Sequence, residues 1–491
     1  MSVDLILHKK DEAFIRFECD RNIAQELSDY FTFYVPGYQF VPAYKNRLWD
    51  GKIRLADLRT FSIYHGLVPY IEKFCKERDY KLEIDPTVNA TDNLSLVEAE
   101  NFAKSLKLPH EVRDYQLRSF LHAVRNRRIL LLSPTASGKS LIVYLMLIFN
   151  LLRLKESKQD KILIIVPTTS LVEQLFKDFK DYGYNSDRNV HRIYQGLDKE
   201  TSKRVIISTW QSIYNLPKKW FQQFGMVIGD EAHLFKAVSL SKIMNKLEKC
   251  KYRVGLTGTL DGTKTHKLVL EGLFGTVNKV VSTSELQEKK QLADLKIICL
   301  ILQHDKNARD FLKDKTYQEE MDYLVSNEKR NKYIRNLCLS LPGNTLCLFQ
   351  YVEKHGMLLK QLIEDKADDK KVFFVYGGVE AEEREKVRFI TEKSEGAIII
   401  ASYGTFSTGI NIRNLHNIVF ASPTKSRIRN LQSIGRGLRL KDNKSAATLY
   451  DIADDLKHNE KENYTLAHFR ERINIYNEED FNYEIHNVEL K

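Results

Sequence analysis

Gly138, Lys139 and Ser140 close a small-residue loop in the stretch LLLSPTASGKSLIVYLM, residues 130–146. A glycine followed by a lysine and a hydroxyl residue can cradle nucleotide phosphates. Backbone N–H groups surround the oxygens, the lysine reaches the β- and γ-phosphates, and the hydroxyl ligates Mg²⁺. The loop runs Ser133, Pro134, Thr135, Ala136, Ser137, Gly138, so Ser133 stands where the Gly-x-x-x-x-Gly-Lys-[Ser/Thr] pattern has its first glycine. Taken alone, the fragment also fits a turn that happens to hold a lysine. Its partners elsewhere in the chain have to decide.

Asp230-Glu231-Ala232-His233 follows the apolar run MVIG. In isolation such a tetrapeptide is a solvated turn, but with a phosphate loop upstream it completes a site. Ser140 and Asp230 can hold Mg²⁺ from opposite sides, and Glu231 can orient and deprotonate the attacking water. VRDYQLRSF (112–120) precedes the loop. Its Gln116 amide can pair with an adenine edge while Tyr115 or Arg113 stacks; the plain alternative is the start of an amphipathic helix. GLTGTL (255–260) places Thr257 and Thr259 to relay nucleotide state to His233. QSIGRGLR (432–439) puts Arg436 and Arg439 three apart on one helical face, where they can reach across a cleft to a γ-phosphate. Two arginines on a helix are otherwise a solvated or nucleic-acid-facing surface. ASYGTFSTGINI (401–412) is a hydroxyl- and glycine-rich loop suited to phosphate-backbone contact.

These residues need elements to carry them. Short continuous apolar runs recur at 129–132, 161–167, 204–209, 226–231 and 252–258, each followed by a helix-like segment. Unbroken runs suit strands buried on both faces of a parallel sheet, and the alternation predicts a doubly wound α/β domain. Ligands in such sheets lie beyond the carboxyl ends of the strands, where the loop 133–140 and Asp230-Glu231 fall. The pattern repeats at 295–302, 345–351, 371–377, 397–402, 417–422 and 447–452, with a charged, helical segment over 305–330. The expected division is a small α+β domain at 1–105, an α/β ATP-binding domain at 106–288 and a second α/β domain at 289–491.

Composition narrows the class. The 491 residues are 43% hydrophobic and 29% charged, as in an ordinary globular chain, and carry a formal net charge of +11, which favours polyanionic partners. No run approaches a membrane span, the N-terminus lacks a signal-peptide core, and a cytoplasmic protein is expected. Six scattered cysteines, none paired at metal-ligand spacing, argue against structural zinc or an iron–sulfur cluster.

Order and spacing of these pieces over about residues 110–455 resemble superfamily 2 helicases and translocases. The resemblance implies two RecA-like doubly wound parallel-sheet domains with ATP and Mg²⁺ between them. It implies that Pro167, Thr168 and Thr169 (VPTTSL) and Ser208, Thr209, Trp210 and Gln211 (STWQ) track nucleic acid in the first domain. Gln350, Tyr351, Ser402, Tyr403 and Thr408 do so in the second, with Gly409 at the nucleotide. Gln432 and His233 join Lys139, Glu231, Arg436 and Arg439 in the catalytic set. Ser133 is a common variant of the first glycine; Asn411 departs from the aspartate that many relatives carry.

LWDGKIRLAD, VPTTSL, KTYQEE, ASYGTFSTGI and FNYEI together resemble the UvsW family of phage branch-migration helicases. That likeness implies ATP-driven remodelling of branched DNA (forks, Holliday junctions, D-loops and R-loops) in recombination, repair and replication. It also implies 3′→5′ tracking, action in the host cytoplasm, and recombination or replication proteins as candidate partners. A duplex translocase without strand separation, an RNA helicase and a nucleotide-gated scaffold are the competing readings. YKNRLWDGKIRLADLR (44–59) holds five Lys/Arg against two Asp. Its Lys45, Arg47, Lys52 and Arg54 either grip a DNA junction or form a charged edge hairpin that packs Trp49 onto the motor.

Overall fold

The computed structural model describes residues 3–134, 137–234, 237–260, 263–290, 292–405, 412, 414–422, 424, 426, 433–435, 446–459 and 461–490. They divide into two compact units: 1–133 with 138–280, and 281–491 with 134–137.

In the first unit, strands β1 (Leu5–Lys9), β2 (Phe14–Cys19), β3 (Thr32–Tyr34), β4 (Lys52–Arg54), β5 (Ala56–Asp57), β6 (Ser62–Tyr64) and β7 (Leu82–Ile84) build an N-terminal lobe. Five of them form a mixed sheet in the order β5-β6-β2-β1-β7, while β3 and β4 pair only with each other. LWDGKIRL (48–55) contributes one short strand: Lys52–Arg54 pairs with Thr32–Tyr34, and the residues before it turn.

β8 (Arg128–Leu132), β9 (Lys161–Val166), β10 (Val190–Ile193), β11 (Val205–Thr209), β12 (Phe224–Gly229), β13 (Tyr252–Thr257) and β14 (Val277–Lys279) follow. They make a seven-stranded parallel sheet in the order β10-β11-β9-β12-β13-β8-β14. The central strands are buried along their length, which is why their sequences are apolar runs rather than alternations. Strands β10 and β14 were not apparent in the sequence, because four- and three-residue edge segments with polar residues carry no run to detect.

The N-terminal lobe shares one hydrophobic core with this sheet: Leu7, Phe17, Phe31, Ile71 and Phe74 belong to the same cluster as Leu130, Leu163 and Phe274. At the seam the lobe presses onto the helix Lys264–Phe274. A Cβ on Gly66 would lie 2.0 Å from the Glu271 carbonyl oxygen, so only glycine permits this approach. The Tyr70 hydroxyl donates to Glu271 Oε2 at 2.6 Å, the Arg128 guanidinium donates to the Glu12 carbonyl at 2.6 Å, and Arg128 also pairs with the Glu12 carboxylate.

The second unit repeats the plan with β15 (Asp294–Gln303), β16 (Thr345–Phe349), β17 (Val372–Val375), β18 (Ile398–Ser402), β19 (Asn417–Phe420), β20 (Ala446–Asp455) and β21 (Tyr483–Glu489). All are parallel, in the order β17-β18-β16-β19-β20-β15-β21. β21 is a largely exposed edge strand, which accounts for the absence of an apolar run in FNYEIHNVE. The charged segment is helical, as expected, over Lys306–Leu312 and Tyr317–Ser326 and into Glu328–Ser340.

KTYQEE acquires a physical role here. Glu320 is 3% exposed, and its carboxylate accepts from the backbone N–H groups of Tyr464 at 3.0 Å and Thr465 at 2.8 Å. It therefore caps the helix Tyr464–Glu478, whose own N-cap residue, Asn463, makes no side-chain cap.

Candidate active site

The carboxyl ends of β8, β12 and β13 bring the candidate residues together in the first unit. β13 and β12 are neighbours, and β8 lies on the far side of β13. The Ser133 N–H donates to the Thr257 carbonyl at 2.8 Å, joining the phosphate loop to the GLTGTL turn, and the Asp230 N–H donates to Ile165 at the end of β9.

Gly138 has φ +79°, and a Cβ there would meet Gln116 Nε2 at 2.3 Å. The backbone angle favours glycine before the helix Lys139–Arg153, and a Cβ there would displace the Gln116 amide. Gln116, 3% exposed, is anchored at both ends: Oε1 accepts from the Arg113 N–H at 3.0 Å and Nε2 approaches the Gly138 carbonyl at 3.5 Å. Tyr115 is 4% exposed, and its hydroxyl oxygen accepts from Arg113 at 2.8 Å. The Tyr115 ring is thus part of the core, and Arg113 is the more accessible of the two stacking candidates. Ser137 and Pro134 are joined by a 2.7 Å hydrogen bond from the serine hydroxyl to the proline carbonyl.

Lys139 Nζ donates to Glu231 Oε1 at 2.8 Å. Glu231 holds φ +49°, a left-handed conformation that a non-glycine residue adopts at a cost and that concentrates at functional sites. Burial and the Glu231 carboxylate push the Asp230 carboxyl up to about 6, against the pull of Lys139. A buried carboxyl held above its ordinary range is a place where a cation would be welcome. Together with the Ser140 hydroxyl it offers the hard oxygen donors that Mg²⁺ prefers, so the residues fit that ion.

His233 Nδ1 lies 2.5 Å from Thr257 Oγ1, and the Thr257 hydroxyl donates to the Thr259 carbonyl at 2.6 Å. The Thr257 oxygen therefore accepts from the His233 Nδ1–H. Thr259 contributes its backbone oxygen to this relay rather than its hydroxyl.

Sequence reasoning missed Asp178, on the helix Thr169–Asp181. Burial raises its carboxyl, the Ser140 hydroxyl pulls it down, and its charge also raises Asp230. Nothing in the surrounding LFKDFKD pattern marks it, because its neighbour is remote in sequence.

Of the candidate nucleic-acid residues of the first unit, those after β9 and β11 lie at the ends of neighbouring strands. Thr168 caps the helix Thr169–Asp181, Thr169 is exposed at its start, and the Gln211 amide donates to the Pro167 carbonyl at 3.2 Å. Thr209 Oγ1 lies 2.9 Å from Ser212 Oγ, and Trp210 meets Tyr214 edge-on. Lys45, Arg47 and Arg54 are exposed and Lys52 half-buried. Trp49 is half-buried and donates to the Lys52 carbonyl at 2.9 Å, packing on its own turn.

In the second unit, Gln350 and Tyr351 follow β16, and the Gln350 N–H donates to Ser422 Oγ at 3.2 Å. Ser402 Oγ donates to Thr405 at 2.9 Å. The Tyr403 ring is 1% exposed and its hydroxyl donates to the Ser422 carbonyl at 3.1 Å, so this side chain braces the loop from within. Thr135, Ala136, Thr408, Gly409, Asn411, Gln432, Arg436 and Arg439 lie outside the described residues.

Three family profiles match: DNA helicase UvsW, N-terminal, over 4–85; Type III restriction enzyme, res subunit, over 100–262; and Helicase conserved C-terminal domain over 328–441. The chain is 37% identical over 513 residues to the ATP-dependent DNA helicase uvsW of Enterobacteria phage T4, covering 99% of this chain and 100% of that one. It is 22% identical over 389 residues to the DNA 3'-5' translocase XPB2 of Sulfurisphaera tokodaii, covering 70% and 83%. The crystal structure of T4 UvsW aligns over 100% of both chains with a TM-score of 0.53 and 35% identity. A type I restriction HsdR fragment from Vibrio vulnificus, at 15% identity and TM-score 0.58 over 85% of this chain and 74% of that one, shares the fold.

Proposed function

The chain belongs to the UvsW family of ATP-dependent DNA helicases, and from that premise we propose that it hydrolyses ATP to remodel and unwind branched DNA. The Lys139–Glu231 pair beside the buried Asp230 is the observation that carries the reading, since it gathers phosphate contact, water activation and cation binding at one place.

Lys139 and the backbone at Gly138 bind the phosphates. Glu231 takes the proton of the attacking water. Ser140 and Asp230 would hold Mg²⁺, which when bound offsets charge on the phosphate oxygens. Gln116 and Arg113 face the base, and Gly409 completes the nucleotide contacts. Gln432, Arg436 and Arg439 stabilise transition-state charge. The His233–Thr257 bond passes the state of the site to the turn beyond β13. Pro167, Thr168, Thr169, Thr209, Trp210 and Gln211, with Gln350, Tyr351, Ser402 and Thr408, hold the tracked strand, while the buried Tyr403 braces their loop from within. We take the parts as 1–105, 106–288 and 289–491, acting in the host cytoplasm alongside recombination or replication proteins. Among the described residues no helix is long and apolar enough to cross a membrane.

The test is ATP turnover measured in parallel with single-stranded, duplex, forked and four-way DNA and with RNA. Greatest stimulation and strand displacement on forked or four-way DNA support the reading. Stimulation by linear duplex without displacement points to a pure translocase, and stimulation by RNA alone to an RNA helicase.

A further inference from the structure

The N-terminal lobe carries a feature that the ATP site does not use. Between Phe31 and Leu55, both buried, the chain leaves the lobe's core and returns as a flap. At its root, β3 and β4 pair only with one another. Phe40 is 77% exposed, Leu48 82% and Tyr34 53%. Single exposed apolar residues are ordinary, but three large ones on one short excursion are not.

These side chains stand out from an ordered scaffold. Tyr34 stacks on Tyr38 with ring centroids 4.7 Å apart, and Tyr38 meets Tyr44 edge-on at 4.7 Å. The backbone closes on itself through Val35 N–H to Gly51 and Leu48 N–H to Ala43. Burial therefore does not explain why Phe40 and Leu48 are apolar.

Charge narrows the occupant. Residues 32–54 contain four Lys/Arg and one acidic residue, Asp50, which pairs with Arg54. Lys45 and Arg47 are exposed, and Lys52 Nζ sits 5.0 Å from the Tyr34 ring centroid. Protein interfaces are depleted of lysine around a contiguous apolar centre, whereas cations interleaved with separate flat or apolar side chains suit phosphates and stacked bases.

The flap is also tied to the motor. Lys264 Nζ lies 5.1 Å from the Phe33 ring centroid and 5.9 Å from that of Tyr30. Lys264 opens the helix that follows the Thr257–Thr259 turn, so the root of the flap rests on the first element beyond the nucleotide relay.

We propose that the flap 32–54 meets the branch point of the DNA, with Phe40 and Leu48 packing against the terminal base pair and Lys45, Arg47 and Lys52 holding the flanking phosphates. This rests on the reading of the chain as a DNA helicase.

The experiment uses the full chain, a four-way junction carrying 2-aminopurine at the branch, and the double variant Phe40→Ala/Leu48→Ala. Wild type changes the 2-aminopurine fluorescence on binding; the double variant does not. Its junction unwinding falls by about tenfold or more relative to its own single-strand-stimulated ATP turnover, the scale of one lost stacking contact. Phe40→Trp, which keeps a stacking face, retains unwinding. Lys45→Ala/Arg47→Ala lowers the log–log salt slope of junction binding by about two, one for each phosphate contact. Junction unwinding by the double variant within about twofold of wild type overturns the assignment, because contacts of this kind are worth more than that; a flap serving a protein partner gives the same result. Should the double variant misfold, an unchanged 2-aminopurine signal with wild type overturns it equally. Failure of single-stranded DNA to stimulate wild-type ATP turnover would instead sink the helicase reading itself.

Discussion

Lys139 Nζ and Glu231 Oε1 stand 2.8 Å apart, an ion pair that joins the cation proposed to meet the phosphates to the carboxylate proposed to activate the water. Both are largely buried, where such a pair is screened little by solvent. Under those proposed roles, arriving phosphates would compete for the lysine and release the carboxylate, which would tie activation of the base to occupancy of the site.

Lys139→Ala removes the phosphate contact and should lower kcat for ATP by about 10²-fold or more, the scale of losing one preorganised charge contact. DNA binding should stay near wild type. Turnover assays beside equilibrium DNA binding read both; near-normal turnover would show that the loop is only a turn.

Glu231→Gln leaves Asp230 in place and removes the lysine's competing partner. ATP binding should be retained or tightened while hydrolysis falls by about 10²- to 10⁴-fold, the range of general-base loss. If nucleotide affinity falls in step with hydrolysis, the roles of Asp230 and Glu231 are exchanged.

Arg436→Ala and Arg439→Ala should each reduce kcat by about 10³-fold if they act on the γ-phosphate as arginine fingers do. Measuring kcat and DNA affinity on the same variants separates the cases: a loss confined to DNA affinity places these arginines on the nucleic-acid surface.

Gly66→Ala would drive a Cβ into the Glu271 and Gly272 carbonyls, at 2.0 and 2.8 Å. Overpacking against backbone should destabilise the first unit by about 3 kcal/mol or more, visible as a lower denaturant midpoint. Because lobe and sheet share a core, deletion of residues 1–90 should yield an insoluble chain. A soluble, ATP-hydrolysing truncation would refute this coupling.

In the second unit, burial pulls the Asp454 carboxyl up, but Arg330 and His304 outweigh it and hold it down at about 2. Arg330 Nε donates to both oxygens at 2.9 and 3.1 Å, and His304 Nε2 lies 3.0 Å away. The folded value is below the unfolded one of about 3.9, so the stabilisation is complete above about pH 4 and drains as pH falls toward 2. Asp454→Asn leaves Arg330 buried without its partner and should cost about 3–5 kcal/mol at pH 7. Denaturant midpoints at pH 7 and pH 2.5 check the sign: the gap between wild type and variant narrows at the lower pH.

Much of the candidate site was legible from residue order alone. The phosphate loop, Asp230-Glu231 and the GLTGTL turn each follow an apolar run, and a strand buried on both faces must be such a run. The doubly wound plan, and the position of these residues at the strands' carboxyl ends, follow from that requirement. Edge strands β10, β14 and β21 escaped notice because a strand with one free side needs no apolar run. Trp49 could have packed on the motor or on its own hairpin, and local composition is the same for both.

The sequence by itself determined the α/β class, the ATP chemistry and the family, because these rest on residue types at short, fixed spacings. Tertiary structure alone decided what depends on residues far apart in the chain. The Lys139–Glu231 pair, Asp178 beside Ser140, Glu320 capping the helix Tyr464–Glu478, and Gly66 against the Glu271 carbonyl all join distant segments. No local propensity encodes such contacts. They exist only once the shared core has brought the segments together, since each gains too little alone to offset the entropy of ordering the chain between its partners.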